Sequence, residues 1–132
     1  MAVTNFPDGI STTTLTATAV TGTSFAGELI RNKQVASANG AITIKDGIVI
    51  ITKGTACLLT LAAPTAGTDD GKVLLIDSTT AAAHTVTIAN GLRGVGASAD
   101  VGTFGGAIGD KVMLYAYNGA WYPIINTNVT FA

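Results

Sequence analysis

The feature that most constrains this sequence is a set of short turn signals spread along its 132 residues. Asn-Gly and Asp-Gly dipeptides tolerate the positive φ angles that two-residue hairpin turns require. They occur at Asn39-Gly40, Asn90-Gly91, Asn118-Gly119, Asp8-Gly9, Asp46-Gly47 and Asp70-Gly71. Because short runs rich in β-branched and aromatic residues separate these turns, the sequence predicts an all-β protein.

The runs between the turns locate the strands. We predict strands at residues 41–44, 47–52, 55–61, 72–77, 84–89, 111–118 and 120–126. Residues 42–51 predict a hairpin that turns at 45–47, and residues 112–125 predict a second hairpin around Asn118-Gly119. The continuous apolar runs 48–51 and 73–76 predict strands covered on both faces.

Two other segments are predicted to lie outside the strands. Residues 25–34 have the best helical spacing, through Phe25, Leu29 and Ile30, but nearby glycines limit any helix to one short turn. Residues 91–109 carry many glycines and few large side chains, which predicts a long loop. Loops of this length are usually functional or make contacts, so this loop is a candidate contact segment.

The first 24 residues form a distinct segment that is rich in threonine and nearly uncharged. An exposed strand of this kind tends to aggregate unless it pairs with something. The segment is either an extended arm that pairs with a neighbouring subunit or a strand of the domain itself. We predict an N-terminal arm at residues 1–24 and one β domain at residues 25–132. The domain is expected to be an antiparallel β-barrel or a jelly-roll-like sandwich.

Composition narrows the possible partners. The chain is 48% hydrophobic but only 11% charged, against a usual charged share of roughly 25%. This favours a β protein whose outer faces are rich in threonine, or one whose surface is partly covered by neighbours. The scattered charges form no basic stripe, which argues against nucleic-acid binding, and no apolar run approaches the ~20 residues that span a membrane. A lone cysteine, Cys57, cannot form an intrachain disulfide and fits assembly in a cytoplasm.

Few residues suggest catalysis or metal binding. His84 is the only histidine and Cys57 the only cysteine, so one chain cannot assemble the usual zinc site. Asp69, Asp70 and Asp77 offer oxygen ligands for calcium, but their spacing is not that of a calcium loop and a turn explains the first two. Residues 94–99 match the dinucleotide-binding glycine pattern without a helix to follow it. We therefore predict no enzyme activity, no cofactor and no metal site.

Polar-tipped aromatic residues concentrate in the second predicted hairpin, at Tyr115, Tyr117, Trp121 and Tyr122. They form either a partner or sugar-binding surface, or a cross-strand cluster that closes the core, and we favour the core cluster. Pro123 lacks the N–H that a strand ladder needs, which predicts an edge strand or a β-bulge at that position.

Several stretches resemble proteins of tailed bacteriophages. The opening, MAVTNFPDGI, resembles the N-termini of small phage head proteins. Residues 61–87, LAAPTAGTDDGKVLLIDSTTAAAHTVT, resemble a β module of capsid decoration, head-fibre and tail-fibre proteins. Residues 106–122 belong to the same pattern. The resemblance covers roughly residues 41–125 as well as the first ten.

The resemblance implies a virion protein of the decoration, or cement, class. Such a protein is a homotrimer on the head surface that binds across major capsid protein subunits and stabilises the shell. Its expected partners are other copies of the chain and the major capsid protein, with no nucleic acid and no membrane. The alternative is a head- or tail-fibre module that binds a host receptor or glycan. The candidate contact residues are Val3, Phe6, Leu15, Val20, Val95, Val101 and Phe104.

Overall fold

The computed structural model describes residues 31–88, 91–94 and 99–132. Over these residues the chain forms ten strands and no helix, which confirms the all-β prediction. The strands are β1 Lys33–Ala36, β2 Gly40–Ile42, β3 Gly47–Ile51, β4 Leu58–Leu61, β5 Val73–Ser78, β6 Thr85–Thr87, β7 Val101–Phe104, β8 Lys111–Tyr117, β9 Ala120–Thr127 and β10 Val129–Phe131. Within this part of the chain, no helix is long and apolar enough to cross a membrane.

The strands form two five-stranded sheets. Sheet A has the order β1-β3-β5-β8-β9, and sheet B has the order β10-β7-β6-β4-β2. Strands β1, β3 and β5 run parallel in sheet A, and β2, β4 and β6 run parallel in sheet B. The remaining pairs are antiparallel. Both sheets are therefore mixed and neither closes into a barrel, so the prediction of an antiparallel barrel is wrong.

The parallel pairs arise because the first six strands alternate between the two sheets. Strands β2 and β3, predicted to pair as a hairpin, lie in different sheets. Gly47 has φ of 111°, and the N–H of the next residue, Ile48, donates to the carbonyl oxygen of Asn32 over 2.9 Å. The Asp46-Gly47 dipeptide therefore directs β3 alongside β1 instead of folding it back on β2.

The second predicted hairpin is confirmed. Strands β8 and β9 pair antiparallel, and the turn between them uses Asn118 with φ of 46° and Gly119 with φ of 78°. A register shift between Met113 and Leu114 marks a bulge opposite Pro123. Because β9 is also an edge strand of sheet A, the expectation for Pro123 is confirmed as well.

The core lies between the two sheets. Sheet A contributes the buried side chains Val49, Ile51, Leu74, Ile76, Val112 and Leu114, and sheet B contributes Ile42, Leu59, Leu61, Val86, Phe104 and Val129. Along β3 and β5 buried residues alternate with half-buried ones. Residues 48–51 and 73–76 are therefore fully covered on the core face and partly covered on the outer face within the described chain.

Three strands were not predicted from the sequence. β1 begins at Lys33, inside the segment given a short helical turn, and β7 occupies part of the predicted loop at 91–109. The third, β10, pairs with β7. A Cβ added at Gly102 of β7 would lie 3.2 Å from Phe131 of β10, so this glycine permits the close approach of the two strands. The predicted arm, residues 1–24, lies outside the described residues.

Candidate functional site: the outer face of sheet A

The side chains that point away from the core on sheet A are mostly apolar. Paired residues on neighbouring strands point to the same face, so the strand register arranges these side chains in rows. One row contains Ile48, Leu75, Met113 and Ile125, and the next contains Val73, Tyr115 and Tyr122. Sheet A therefore presents apolar side chains on its outer face as well as on its core face.

A cavity of about 450 Å³ opens on this face. It is lined by Arg31, Gly47, Ile48, Val73, Leu75 and Met113. Among the described lining residues Arg31 alone is charged, and its guanidinium lies 3.7 Å from the carboxylate of Asp46. The remaining lining is aliphatic or thioether, so the cavity is suited to an apolar occupant.

Next to the cavity, the β8–β9 hairpin exposes large apolar side chains. We call Tyr115, Tyr117, Tyr122, Ile124 and Ile125 the hairpin strip. Tyr117 is 57% exposed, Ile124 54% and Ile125 48%. The rings of Tyr115 and Tyr122 stack with centroids 5.0 Å apart. The bulge places Ile124 beside Ile125 with both exposed, so the strip is a patch rather than a set of scattered residues.

The outer face of sheet B has a different character. Its rows are dominated by threonine, at Thr60, Thr85, Thr87, Thr103 and Thr130. Threonine hydroxyls hydrogen-bond with water, so this face can stay solvated, although Leu58, at the start of β4, is 55% exposed. The two outer faces thus differ, one being apolar and one hydroxyl-rich.

The predicted contact residues do not gather at the hairpin strip. Phe104 is 1% exposed and packs edge-on against His84, so its side chain belongs to the core. Val101 is half-buried on the outer face of sheet B. The other predicted contacts lie outside the described residues: Val3, Phe6, Leu15, Val20 and Val95. Sequence reasoning missed Ile124 and Ile125, although the bulge expected at Pro123 was a signal for them.

The aromatic residues of the hairpin divide between the two faces of sheet A. Trp121 is fully buried, and its indole N–H donates to the carbonyl oxygen of Ala62 over 3.0 Å. Tyr115, Tyr117 and Tyr122 remain on the outer side. The favoured core-cluster interpretation therefore holds for the tryptophan, while the three tyrosines belong to the surface.

His84 is fully buried, and both ring nitrogens have partners. Nδ1 accepts the backbone N–H of Cys57 at 3.1 Å, and Nε2 lies 3.0 Å from the hydroxyl of Thr80. Because that hydroxyl donates to the carbonyl oxygen of Lys53 at 2.7 Å, the hydrogen between Thr80 and His84 must come from Nε2. Burial lowers the pKa of His84 and raises the pKa of the Cys57 thiol. The ring is therefore neutral at pH 7 and links the backbone of Cys57 to the hydroxyl of Thr80.

The carboxylates considered for calcium have different partners. Asp69 accepts hydrogen bonds of 2.6 Å from Lys45, from Lys72 and from the N–H of Thr65. These bonds hold its pKa well below the usual range. Asp77 lies instead on the outer face of sheet A, 3.9 Å from Lys111. In the described part of the chain, no three potential histidine, cysteine or acidic ligands come together.

The chain was also compared with known proteins. Comparisons with protein-family models, curated proteins and solved structures found no match. The functional proposal therefore rests on the geometry of the described chain, above all on the hairpin strip, and on the sequence resemblance.

Proposed function

We propose that this chain is a structural protein of a bacteriophage virion that acts by binding other protein subunits. The observation that carries the proposal is the hairpin strip. Contiguous exposed apolar side chains mark interaction surfaces, and tyrosine is among the residues that dominate binding energy at protein interfaces. A partner that covers Tyr117, Ile124 and Ile125 removes apolar surface from water.

The position of the strip in the fold also suits binding. β9 is the edge strand of sheet A in the described chain. Trp121, near its start, bonds through its backbone to Gly91 and Arg93, so the part of the edge after Trp121 is the part that a partner can pair with. A docked subunit can therefore bury the apolar side chains and pair with this edge. Strand β9 is paired with β8, and the inner side chains of β8 are packed in the core, so the strip has a fixed conformation in the free protein.

More specifically, we propose that the chain decorates the capsid. The chain binds as a trimer across major capsid subunits on the head surface and cements them, after assembly in the host cytoplasm. The sequence resemblance supports this assignment, and so does the contrast between the outer faces, since the threonine face can remain in water while the strip is covered. Stable interfaces bury about 1,200–2,000 Å² in total. We expect the arm at residues 1–24 to supply contacts in addition to the strip.

The first test places a charge in the strip. We expect Ile124→Asp to weaken binding to purified capsid shells about tenfold or more, since 1.4 kcal/mol corresponds to a factor of ten. Co-sedimentation measures shell binding, and light scattering measures the trimer. Thr103→Asp is the matched control, because it adds the same charge to an exposed strand position on sheet B. Unchanged shell binding and an unchanged trimer in Ile124→Asp would contradict the role of the strip.

Localisation on the virion tests whether the chain decorates the capsid. Cryo-EM of the particle should show the chain on the head at threefold or quasi-threefold positions. Density confined to the tail would replace decoration with the fibre alternative. Absence from the particle would reject a virion function altogether.

The alternative is a fibre module that binds a host receptor or glycan. Tyr117 is exposed, and Tyr115 and Tyr122 form an aromatic pair beside it, which is the observation in its favour. Trp121 cannot contribute to such a site, because its side chain is fully buried. A glycan array separates the two functions: specific binding that Tyr117→Ala abolishes would support the alternative, and a blank array with a folded trimer would remove it.

A further inference from the structure

Two Asn-Gly dipeptides of the described chain lie in different surroundings. Asn39-Gly40 leads into β2, and Asn118-Gly119 forms the turn between β8 and β9. We propose that Asn118 is a site of spontaneous modification, at which the side-chain amide is lost and an isoaspartate forms, while the fold protects Asn39. The reaction needs one chain and water only, so it is independent of the function proposed above.

The chemistry follows from an asparagine that precedes a glycine. The backbone nitrogen of the glycine gives up its proton to hydroxide and attacks the side-chain carbonyl carbon, Cγ, of the asparagine. A C–N bond forms, ammonia leaves, and a five-membered succinimide ring results. Water then opens the ring at either carbonyl, which yields aspartate or isoaspartate. Glycine favours the attack because it has no Cβ to block it and its backbone rotates freely.

Asn118 and Gly119 meet these requirements in the folded chain. Asn118 is exposed, and the two residues link Tyr117 to its ladder partner Ala120, so Gly119 itself lies outside the ladder. Among the described residues, neither the Asn118 side chain nor the Gly119 N–H has a hydrogen-bond partner. A Cβ added at Gly119 would have no heavy atom closer than 3.8 Å, so this peptide has room to rotate. Loop tips of this kind open at low free-energy cost.

Asn39 and Gly40 are held instead against β4. The side-chain oxygen Oδ1 of Asn39 accepts hydrogen bonds from Lys53 Nζ at 2.8 Å and from the backbone N–H of Leu58 at 3.1 Å. Gly40 is a residue of β2 and pairs with Leu59. The attacked carbonyl and the attacking nitrogen are therefore both positioned by strand contacts, which must break before the C–N bond can form.

Isoaspartate at position 118 changes the turn that carries the hairpin strip. It brings its own Cβ into the main chain, so the loop becomes longer than the two-residue turn with φ angles of 46° and 78°. It also adds a carboxylate at the residue whose backbone N–H donates to the carboxylate of Asp70 over 2.8 Å. Like charges this close repel each other. The modification therefore loosens the hairpin beside Tyr117.

Peptide mapping of the full-length chain tests the assignment. The folded protein is kept in mildly alkaline buffer, and samples are digested with trypsin and examined by mass spectrometry. Cleavage after lysine places Asn39 in residues 34–45 and Asn118 in residues 112–132, where fragment ions locate the change. We expect Asn118 to convert at least about tenfold faster than Asn39, a factor that corresponds to 1.4 kcal/mol. Protein isoaspartate methyltransferase, used as a reagent, distinguishes isoaspartate from aspartate.

The unfolded chain provides the control for local sequence. In concentrated urea both asparagines precede an unhindered glycine, so their conversion rates should become similar. Asn118→Gln is the matched variant: glutamine would have to form a six-membered ring, so conversion at position 118 should disappear while the rate at Asn39 stays the same.

Two outcomes would overturn the proposal. Equal conversion of Asn118 and Asn39 in the folded chain, or faster conversion of Asn39, would mean that the turn is not the reactive site. A rate difference that persists unchanged in urea would mean that the fold does not protect Asn39. No capsid is present, so either outcome is distinct from a failure of the proposed virion function.

Discussion

The indole N–H of Trp121 and the carbonyl oxygen of Ala62 form a hydrogen bond of 3.0 Å that joins the two sheets. Trp121 belongs to β9 of sheet A, and Ala62 directly follows β4 of sheet B. The backbone of Trp121 also donates to Gly91 and accepts from Arg93. Trp121 thus attaches the β8–β9 hairpin, which bears the hairpin strip, to sheet B and to residues 91–93.

Trp121→Phe should therefore destabilise the fold. The substitution leaves the Ala62 carbonyl without its donor. It also opens a void in the space that the larger, fully buried indole fills. We expect a loss of about 2–3 kcal/mol in the free energy of unfolding, from the unmet hydrogen bond and the cavity together. Urea denaturation measures it. Tyr117→Phe, at an exposed position of the same hairpin, should change stability by less than about 0.5 kcal/mol, and equal losses in the two variants would contradict this account.

Gly47→Ala tests the close approach of β3 to the residues before β1, where the parallel pairing of these two strands starts. An added Cβ would lie 2.1 Å from the carbonyl oxygen of Asn32, at a residue with φ of 111°. Since backbone must move to relieve that contact, we expect a loss of about 2 kcal/mol or more. Gly54→Ala is the control, because an added Cβ there has no heavy atom within 4 Å. Thermal melts of the two variants should differ clearly, and coinciding melts would count against the close approach.

Asp69→Asn should remove a pH-dependent contribution to stability. The lysine bonds keep the pKa of Asp69 lower in the folded chain than in the unfolded chain, where an aspartate has a pKa of about 3.9. The contribution of the carboxylate is therefore complete above that value and is lost as the pH falls below it.

Urea midpoints at pH 7 and at lower pH measure this effect. The variant should be less stable than the native chain at pH 7, and the gap should shrink steadily below about pH 4. Asp70→Asn is the control: Asp70 accepts one backbone N–H, from Asn118 at 2.8 Å, and an amide oxygen can keep that bond. A gap for Asp69→Asn that stays constant with pH would exclude the ionised carboxylate as its cause.

His84 should make the fold sensitive to mild acid. Its pKa in the folded chain is lowered by burial, whereas an unfolded histidine titrates at about pH 6.5. Its contribution is fully present above the unfolded value, and below it the unfolded chain takes up a proton more readily than the folded chain. Stability should therefore fall as the pH drops from 7 to 5.

The control is His84→Gln, which keeps a donor and an acceptor but does not titrate. The variant should be less stable at pH 7 and should show a shallower slope of unfolding free energy between pH 7 and 5. Denaturation at several pH values gives both quantities. An identical slope in the native chain and the variant would mean that other groups control the acid response.

The elements predicted correctly are those with local signals. The β8–β9 hairpin follows from Asn118-Gly119, whose positive φ angles the turn uses. The β2–β3 hairpin was wrong because Asp46-Gly47 carries the same signal but sends the chain into the other sheet. Parallel pairing joins residues far apart in sequence, such as Leu58 with Thr85, and leaves no short-range pattern to read.

The candidate site was predicted only in part. The tyrosines of the hairpin were singled out, but their separation from Trp121 depends on which face of the sheet each residue occupies. A bulge shifts the register after Met113 and exposes Ile124 beside Ile125. The apolar runs 48–51 and 73–76 did indicate strands with apolar side chains on both faces. What they did not reveal is that the outer face is half-exposed in the described chain.

The alternation of strands between the sheets has a consequence for how the molecule opens. β1 and β2 are consecutive in the chain, contact each other, and are edge strands of different sheets. Fraying from this end therefore detaches one strand from each sheet together, and β3 with β4 becomes the next pair of edges. Amide exchange should follow this order in two-strand steps, with the slowest protons in the centres of both sheets.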